Sequence, residues 1–467
     1  MSLTSINKSV GRHRWTICAL IFAATTINYL DRNVLGLLKP VLSAAGVFGP
    51  DKAIQELNYS TVVICFQIAY AVGMLFAGKF IDKVGTKSGY AWSLISWSLA
   101  AIGHAFGQHT WSFGFWRAAL GLSESGNFPA ANKTVAEWFP KRERAFATGL
   151  YNSGANVGAI VAPLTVPFIA KAWGWEWAFI LTGAIGLTWL AFWYTMYDVP
   201  AAKLQSGRLS QQEFDLIHSD VDEQDAERAD AGKVKVSWFR LLMFRQTWAF
   251  FVGKFLTDPI WWFYLFWLPS FLDGENSRKT ALFLTANPGY AGTVADIPGV
   301  ISWPFAVAIV YTISTVGSIF GGWLPKRFIQ DGMDANKARK LSMFIFALAP
   351  LSVLLASRLG AINTWLAVGT IGIATAAHQA WSANIFTTVS DMFPKKAVAS
   401  VTGIGGMAGA VGGILIARGA GVLLQRFTVL GKAEVGYGIL FVVCGSAYVT
   451  AWVIMHLLVP KFRKIVL

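Results

Sequence analysis

Apolar residues run along this chain in blocks of about 20, cut by short polar or charged stretches. A block of that length crosses the hydrocarbon of a bilayer as one α-helix. Twelve such blocks are predicted. The first half holds 14–37, 57–79, 88–108, 112–136, 145–170 and 176–197, and the second 240–272, 302–325, 340–358, 362–389, 398–424 and 435–459. The pattern predicts an all-α integral membrane protein with twelve transmembrane helices. The first block continues past Asp31-Arg32 with no small-residue cleavage site, so it reads as an uncleaved helix and not a signal peptide.

The second half repeats the first at an offset of 254 residues. Phe139-Pro140-Lys141 recurs as Phe393-Pro394-Lys395, Ala145 as Ala399, Thr148-Gly149 as Thr402-Gly403 and Val157-Gly158 as Val411-Gly412. The matches share one register in the fifth and eleventh blocks, which predicts two pseudo-symmetric six-helix bundles of parallel topology. The expected division is 1–199, a cytoplasmic linker at 200–236 and 237–467. The linker is soluble and acid-rich (Glu213, Asp215, Asp220, Asp222, Glu223, Asp225, Glu227, Asp230) and reads as a solvated tether with short amphipathic helices. Glycines recur in the fifth block (Gly149, Gly154, Gly158) and the eleventh (Gly403, Gly405, Gly406, Gly409, Gly412, Gly413), where they permit close approach of helices.

Composition agrees with this plan. The chain is 55% hydrophobic and 14% charged, against about 25% charge in an ordinary soluble domain. A net charge of +14 raises the question of nucleic acid, but its placement answers it. With both termini cytoplasmic, 26 of the 39 Lys and Arg fall in inner loops, eight in outer loops and five within blocks. That is a topology signal, with no nucleic-acid partner implied. The three cysteines (Cys18, Cys65, Cys444) all fall within blocks, so neither a disulfide framework nor a metal cluster is expected. The chain offers no nucleophile–base pair or phosphate loop, so an enzyme is not expected either.

Charges inside the blocks carry the candidate chemistry, because a charge near the bilayer centre costs several kcal/mol. Arg117 and Glu124 are seven residues apart in the fourth block, on one helix face and roughly 10 Å apart along the axis, with Gly121 between them. Asp31 and Arg32 are adjacent in the first block, about 100° apart around the helix and poorly placed for a mutual salt bridge. Asp258-Pro259 in the seventh block reads as a helix break, with Asp258 capping a second helical piece. Lys133 and Lys254 are expected to snorkel toward the cytoplasmic ends. Tyr70, Asn152, His378, Gln379, Ser382 and Asn384 supply hydroxyl-binding groups within blocks, and Trp381 a ring that stacks on an apolar sugar face.

The run Gly78-Lys-Phe-Ile-Asp82-Lys-Val-Gly85-Thr-Lys87 resembles the signature loop of the major facilitator superfamily, and the duplicated twelve-block plan fits that fold over the whole chain. Gly78 and Gly85 permit the turn, and Asp82 is able to cap a helix N-terminus of the other half as a gate latch. The equivalent Gly321-Gly-Trp-Leu-Pro325-Lys-Arg327 has Pro where the acid would sit. Three further pieces resemble the anion:cation symporter family: Asn28-Tyr-Leu-Asp31-Arg32-Asn33, Arg117…Glu124-Ser, and Trp138-Phe-Pro-Lys141. Phe255-Leu-Thr-Asp258-Pro259-Ile-Trp-Trp-Phe-Tyr-Leu-Phe-Trp-Leu-Pro269 and Ala377-His378-Gln379-Ala380 are most similar to its bacterial hexuronate (glucuronate/galacturonate) branch. Relatives that move phosphate or glutamate in vesicles tend to carry an arginine near position 259; Asp258-Pro259 departs from that.

The resemblance implies a proton-coupled symporter for a small anionic sugar acid, with an anion-binding arginine at Arg32 and a substrate contact at Tyr70. It also implies that Arg117 and Glu124 take part in proton coupling. The residues support these roles: guanidinium offers a fork of donors that matches a carboxylate. A carboxyl in low dielectric takes up a proton more readily, and a nearby guanidinium opposes this. A substrate carboxylate on Arg32 weakens that opposition at Asp31, so anion and proton favour each other. The expectation is a bacterial inner-membrane importer of a hexuronate, monomeric, with the proton as coupling ion and no cofactor. An aldonate carrier resembling galactonate transporters is the alternative, and a non-transporting membrane sensor of sugar acids a remote one.

Overall fold

The computed structural model of the chain describes residues 11–219, 238–463 and 465. Helices α1 (His13–Ala44), α2 (Lys52–Val84), α3 (Thr86–Gly103), α4 (Thr110–Glu124, continued by Asn127–Trp138), α5 (Lys141–Trp173) and α6 (Trp175–Met196) precede the linker. After it come α7 (Arg245–Ala286), α8 (Trp303–Gln330), α9 (Ala335–Leu348, a 3-10 turn Ala349–Leu355, then Ala356–Ile362), α10 (Thr364–Met392), α11 (Lys395–Val429) and α12 (Ala433–Leu458). In the first six, α1 packs on α5, α2 on α4 and α3 on α6; α7 on α11, α8 on α10 and α9 on α12 repeat that arrangement. The repeat extends to the backbone. Pro140 (φ −63°, ψ 152°) and Pro394 (φ −65°, ψ 152°) start α5 and α11 in the same conformation, where a residue without an N–H costs the helix nothing.

Seven of the described helices (α2, α5, α6, α8, α9, α11 and α12) are long and apolar enough by themselves to cross a membrane. Large apolar side chains such as Phe76, Trp92, Phe192, Ile319 and Leu415 point outward from them and from α3, as a surface solvated by lipid requires. Among those that fall short are α1, α4, α7 and α10, which carry Asp31, Arg32, Arg117, Glu124, Lys254, Asp258, His378 and Gln379.

Two expectations need correction here. The fourth block is not one helix: it breaks at Ser125–Gly126, immediately after Glu124. Pro129 accounts for the place, since it has no N–H for the Ser125 carbonyl and so belongs in the first turn of a new helix. The seventh block, by contrast, is continuous, and Asp258 caps nothing. A 42-residue helix runs through both Pro259 and Pro269. The Phe255 carbonyl, which Pro259 cannot satisfy, is turned against Gly412 of α11, and the Pro259 Cγ lies 2.6 Å from where a Gly412 Cβ would stand. The bare glycine leaves room for that carbonyl and for the proline ring. Gly412→Ala is therefore expected to destabilise the protein by roughly 1–3 kcal/mol, seen as a lower thermal midpoint in detergent, whereas Gly406→Ala, facing open space, is expected to leave it unchanged.

The described part of the linker lies on the protein. Residues 200–219 form short helices (Pro200–Gln205, Gln211–Ile217) against the first bundle. Glu213 is buried and accepts from the backbone N–H groups of His13 and Arg14 and from the Arg14 side chain, which also reaches Glu143 at 2.9 Å. Asp220, Asp222, Glu223, Asp225, Glu227 and Asp230 lie outside the described residues.

The segment 273–300 is half helix, since α7 continues to Ala286. Its return is stitched to the second bundle by paired Asn276–Ile301 hydrogen bonds and by Lys279 on Thr364 at 2.6 Å.

Across the two bundles, α2 packs on α11, α5 on α8 and α1 on α7. Their tightest contacts lie away from the face where α1 begins and α12 ends. The Tyr59 hydroxyl donates to the Phe266 carbonyl at 2.8 Å, and Gly36 faces the Leu265 carbonyl and Ser60 faces Gly421 in near-contact. The bundles are thus sealed at the far face, and a central cavity lies between them on the other side.

Candidate functional site

The cavity has a volume of about 820 Å³. Its walls come from both bundles: α1 gives Tyr29 and Arg32, α2 Tyr70, α4 Asn132, α5 Asn152 and Asn156, α7 Lys254, Asp258, Trp261 and Trp262, and α10 His378, Gln379 and Ser382. Aromatic rings, amides and charges so mixed suit a ligand with an apolar face, hydroxyls and an ionic group.

Arg32 stands at its first-bundle wall. Its Nε and Nη2 donate to the Glu124 Oε2 at 2.9 and 2.7 Å, and Nη2 donates also to the Asn28 Oδ1 at 3.2 Å. The rings of Tyr29, Phe66, Tyr70 and Trp262 surround the guanidinium at 4.7–5.5 Å, a box that replaces lost water with π faces. Glu124 is wholly buried, and its Oε1 has no hydrogen-bond partner among the described residues.

The sequence pairs Glu124 with Arg117, and the structure does not. Seven residues along one helix separate them by too much axis for direct contact, while α1 crosses at Glu124 and brings Arg32 to it. Arg117, also wholly buried, donates through Nη2 to the Arg32 backbone carbonyl at 3.0 Å. Its Nε and Nη1 have no hydrogen-bond partner among the described residues, and the Phe66 and Phe266 rings flank it. Asp31 is 2% exposed and behind the cavity wall. Its oxygens make no hydrogen bond of ordinary geometry among the described residues, although the Thr182 hydroxyl and Arg117 are near enough to act on it. Two acids and two guanidiniums thus share one buried cluster, of which only Arg32 reaches the cavity. The long reach of arginine, which the sequence does not orient, decides these partners.

On α10 the sequence named five polar or aromatic candidates, and three line the cavity. His378, Gln379 and Ser382 share one arc of roughly 100° around the helix, the angle between adjacent residues. Trp381 and Asn384 lie outside that arc and point elsewhere. Trp381 is fully buried with its ring edge-on to Tyr448, and the Asn384 amide donates to the Gly321 and Ala380 carbonyls. His378 bonds the Tyr448 hydroxyl at 2.7 Å and stacks on Trp261.

The cavity also includes residues the sequence reading passed over: Tyr29, Asn132, Asn156, Trp261 and Trp262. For Tyr29, Asn156, Trp261 and Trp262 the helical spacing of three or four residues from Arg32, Asn152 and Asp258 was the available signal; Asn132 had none. Lys254 does not snorkel outward; it is 5% exposed, with its Nζ 2.6 Å from Asp258. Lys133 does reach toward the surface, where it meets Asp82 at 2.8 Å.

That meeting places the signature loop. Gly85 holds φ +88°, a conformation that favours glycine. Thr86 donates to Glu137 at 2.6 Å and Lys87 pairs with Asp198 at 2.8 Å, holding the Asp198 carboxyl below its ordinary range. All these partners belong to the first bundle. Asp82, mostly exposed, therefore bonds within its own bundle here and not to a helix N-terminus of the other.

Residues 21–417 match the model of the Major Facilitator Superfamily. The chain belongs to the major facilitator superfamily. It is 28% identical over 420 residues to the hexuronate transporter of Escherichia coli (strain K12), covering 88% of this chain and 87% of that one. It is 28% identical to the galacturonate transporter of Dickeya chrysanthemi, over 79% of this chain and 93% of that one. To the D-galactonate transporter of Escherichia coli O6:H1 it is 29% identical, over 89% and 90%. Among solved structures, a D-xylose-proton symporter superposes with a TM-score of 0.69 at 14% identity, covering 98% of this chain and all of that one. The all-α major facilitator fold and the bulk of its expected spans are thereby established, and with them a multi-pass membrane transporter whose relatives carry sugar acids.

Proposed function

We propose that this protein is a proton-coupled symporter that imports a sugar acid, a hexuronate before others, by alternating access across a bacterial inner membrane with both termini cytoplasmic. The observation that carries the reading is the Arg32–Glu124 pair at the cavity wall. Before substrate binds, Glu124 occupies the guanidinium fork. A substrate carboxylate takes that fork, and Glu124 leaves it as the neutral acid, so anion and proton enter together and the net charge of the buried cluster is unchanged. Asp31 is the second carboxyl of the cluster, and Arg117 offsets whichever acid stays ionised. The sugar hydroxyls go to Tyr70, Gln379, Ser382 and the asparagines of α5. With the far face sealed the cavity faces the cytoplasm, and when the bundles rock, Asp82, Gly78 and Gly85 form the latch that closes it.

The named relatives support a sugar acid as cargo, and the likeness to a galactonate transporter keeps an aldonate as the second reading. The test is uptake of radiolabelled glucuronate by proteoliposomes under an inward proton gradient. Accumulation above equilibrium supports the reading, uptake of galactonate in its place changes the substrate alone, and no uptake of any sugar acid by folded protein overturns it. Within this reading, Gln379→Ala is expected to raise the apparent KM roughly 3- to 10-fold, the worth of one hydrogen bond to a ligand. Trp381→Phe, outside the cavity, is expected to leave KM within about twofold; equal effects in KM assays would refute the assignment of faces.

A further inference from the structure

The seam between α2 and α11 holds an amide with nothing to bond. Gln67 of α2 is 4% exposed, and neither its Nε2 nor its Oε1 has a hydrogen-bond partner among the described residues. Leaving a buried polar group unpaired costs roughly 1–3 kcal/mol, so an apolar side chain would serve a static seam better. Two rungs of contact between the bundles set its position. Ser60 faces Gly421; seven residues further along α2, Gln67 faces Gly413, eight residues back along α11. One number rises as the other falls, as in antiparallel neighbours, and each helix keeps its two positions on one stripe. The Ser60 rung belongs to the seal of the far face. Gln67 lies about 10 Å nearer the cavity, one turn short of Tyr70, which lines it. Its Nε2 is 3.3 Å, and the Trp262 Cδ1 3.2 Å, from where a Gly413 Cβ would stand. Trp262 is also one of the rings around Arg32. Gln67 is thus beside the site yet not among the residues that line the cavity, hidden where α2 meets α11.

We infer that Gln67 is a sugar-binding residue of the outward-open form, exposed when the α2–α11 seam parts and covered again when it closes. This rests on the alternating-access reading. The amide carries both donors and an acceptor, which suits a hydroxyl of a sugar whose carboxylate is on Arg32. The bare Gly413 opposite leaves the parted seam room for the sugar ring. The site then has two sets of hydroxyl partners: Gln379 and Ser382 serve the form open to the cytoplasm, and Gln67 the form open to the far face. Closure of the far face withdraws the Gln67 bond before the sugar is released inside.

The experiment measures inhibition of labelled glucuronate transport by glucuronate and by its 2-, 3- and 4-deoxy analogues. Right-side-out and inside-out membrane vesicles are compared, from cells lacking other sugar-acid carriers, for the full chain and for Gln67→Leu. In right-side-out vesicles the wild type is expected to bind at least one analogue roughly 5- to 10-fold more weakly than glucuronate, the worth of one hydrogen bond. Gln67→Leu is expected to reduce that penalty to under about twofold. A change in the balance of outward and inward forms alters all four ligands alike, so the ratio between ligands reads the contact itself. In inside-out vesicles each penalty is expected to be the same in both proteins. Leucine replaces an unpaired amide with an apolar group of similar size, so the variant is expected to fold; should it not, Gln67→Met gives the same ratios. If Gln67→Leu shifts all four ligands equally, leaves every penalty unchanged, or lowers one equally in both kinds of vesicle, the inference is overturned and the symporter stands. Wild-type vesicles that move no sugar acid overturn the symporter reading itself, and this inference with it.

Discussion

Arg32→Ala is expected to reduce glucuronate uptake at least about 100-fold. Two costs add in that variant. The ligand loses a charge-assisted bidentate partner, worth roughly 1.5–3 kcal/mol. Glu124, wholly buried, loses the side chain bonded to it, and an orphaned buried charge costs about 3–5 kcal/mol. Arg32→Lys is expected to recover little, no more than about a tenth of wild-type uptake, because a point charge does not reproduce the fork that Nε and Nη2 present. Folding is checked first by a monodisperse gel-filtration profile, since the second cost falls on the protein as well as on binding. An Arg32→Ala protein that folds and keeps more than about a tenth of wild-type uptake, a loss under about 1.4 kcal/mol, would remove Arg32 from the site.

Glu124→Gln is expected to separate binding from coupling. The amide keeps an oxygen able to accept from Arg32 but has no proton to gain or lose, so exchange of labelled for unlabelled substrate across the membrane should persist within about fivefold, about 1 kcal/mol. Accumulation driven by an imposed proton gradient should vanish. The direction with pH follows: wild-type uptake rises as the outer pH falls, because the outward-facing acid must load a proton, and exchange by Glu124→Gln should be flat over the same range. Asp31→Asn, measured alongside, apportions the role between the two carboxyls of the cluster. Normal accumulation by Glu124→Gln would move the proton site to Asp31; normal accumulation by both variants would sink coupling through this cluster.

Much of this protein was legible from composition and periodicity. Lipid gives a helix no alternative partner for its backbone, so block length alone predicts spans. The repeated Phe-Pro-Lys motif carries the internal symmetry into the near-identical backbones at Pro140 and Pro394. The expense of intramembrane charge singles out Asp31, Arg32, Arg117, Glu124 and Asp258 before any fold is known. Proline chemistry predicts less than it suggests. Pro129 does interrupt α4 beside Glu124, but Pro259 leaves α7 whole, and its freed carbonyl lies against a glycine far along the chain, Gly412.

The sequence by itself determined the membrane class, the twofold plan, and which residues are too costly to be idle. Those follow from properties carried within one helix: its length, its hydropathy and the angle between its side chains. The tertiary structure alone decided that Glu124 belongs to Arg32 and not to Arg117, that Trp381 and Asn384 turn from the cavity which His378, Gln379 and Ser382 face, and that Lys254 points inward. Each of those depends on how a helix is rotated against its neighbours and on where another crosses it, and a long charged side chain takes whichever partner that crossing brings within reach.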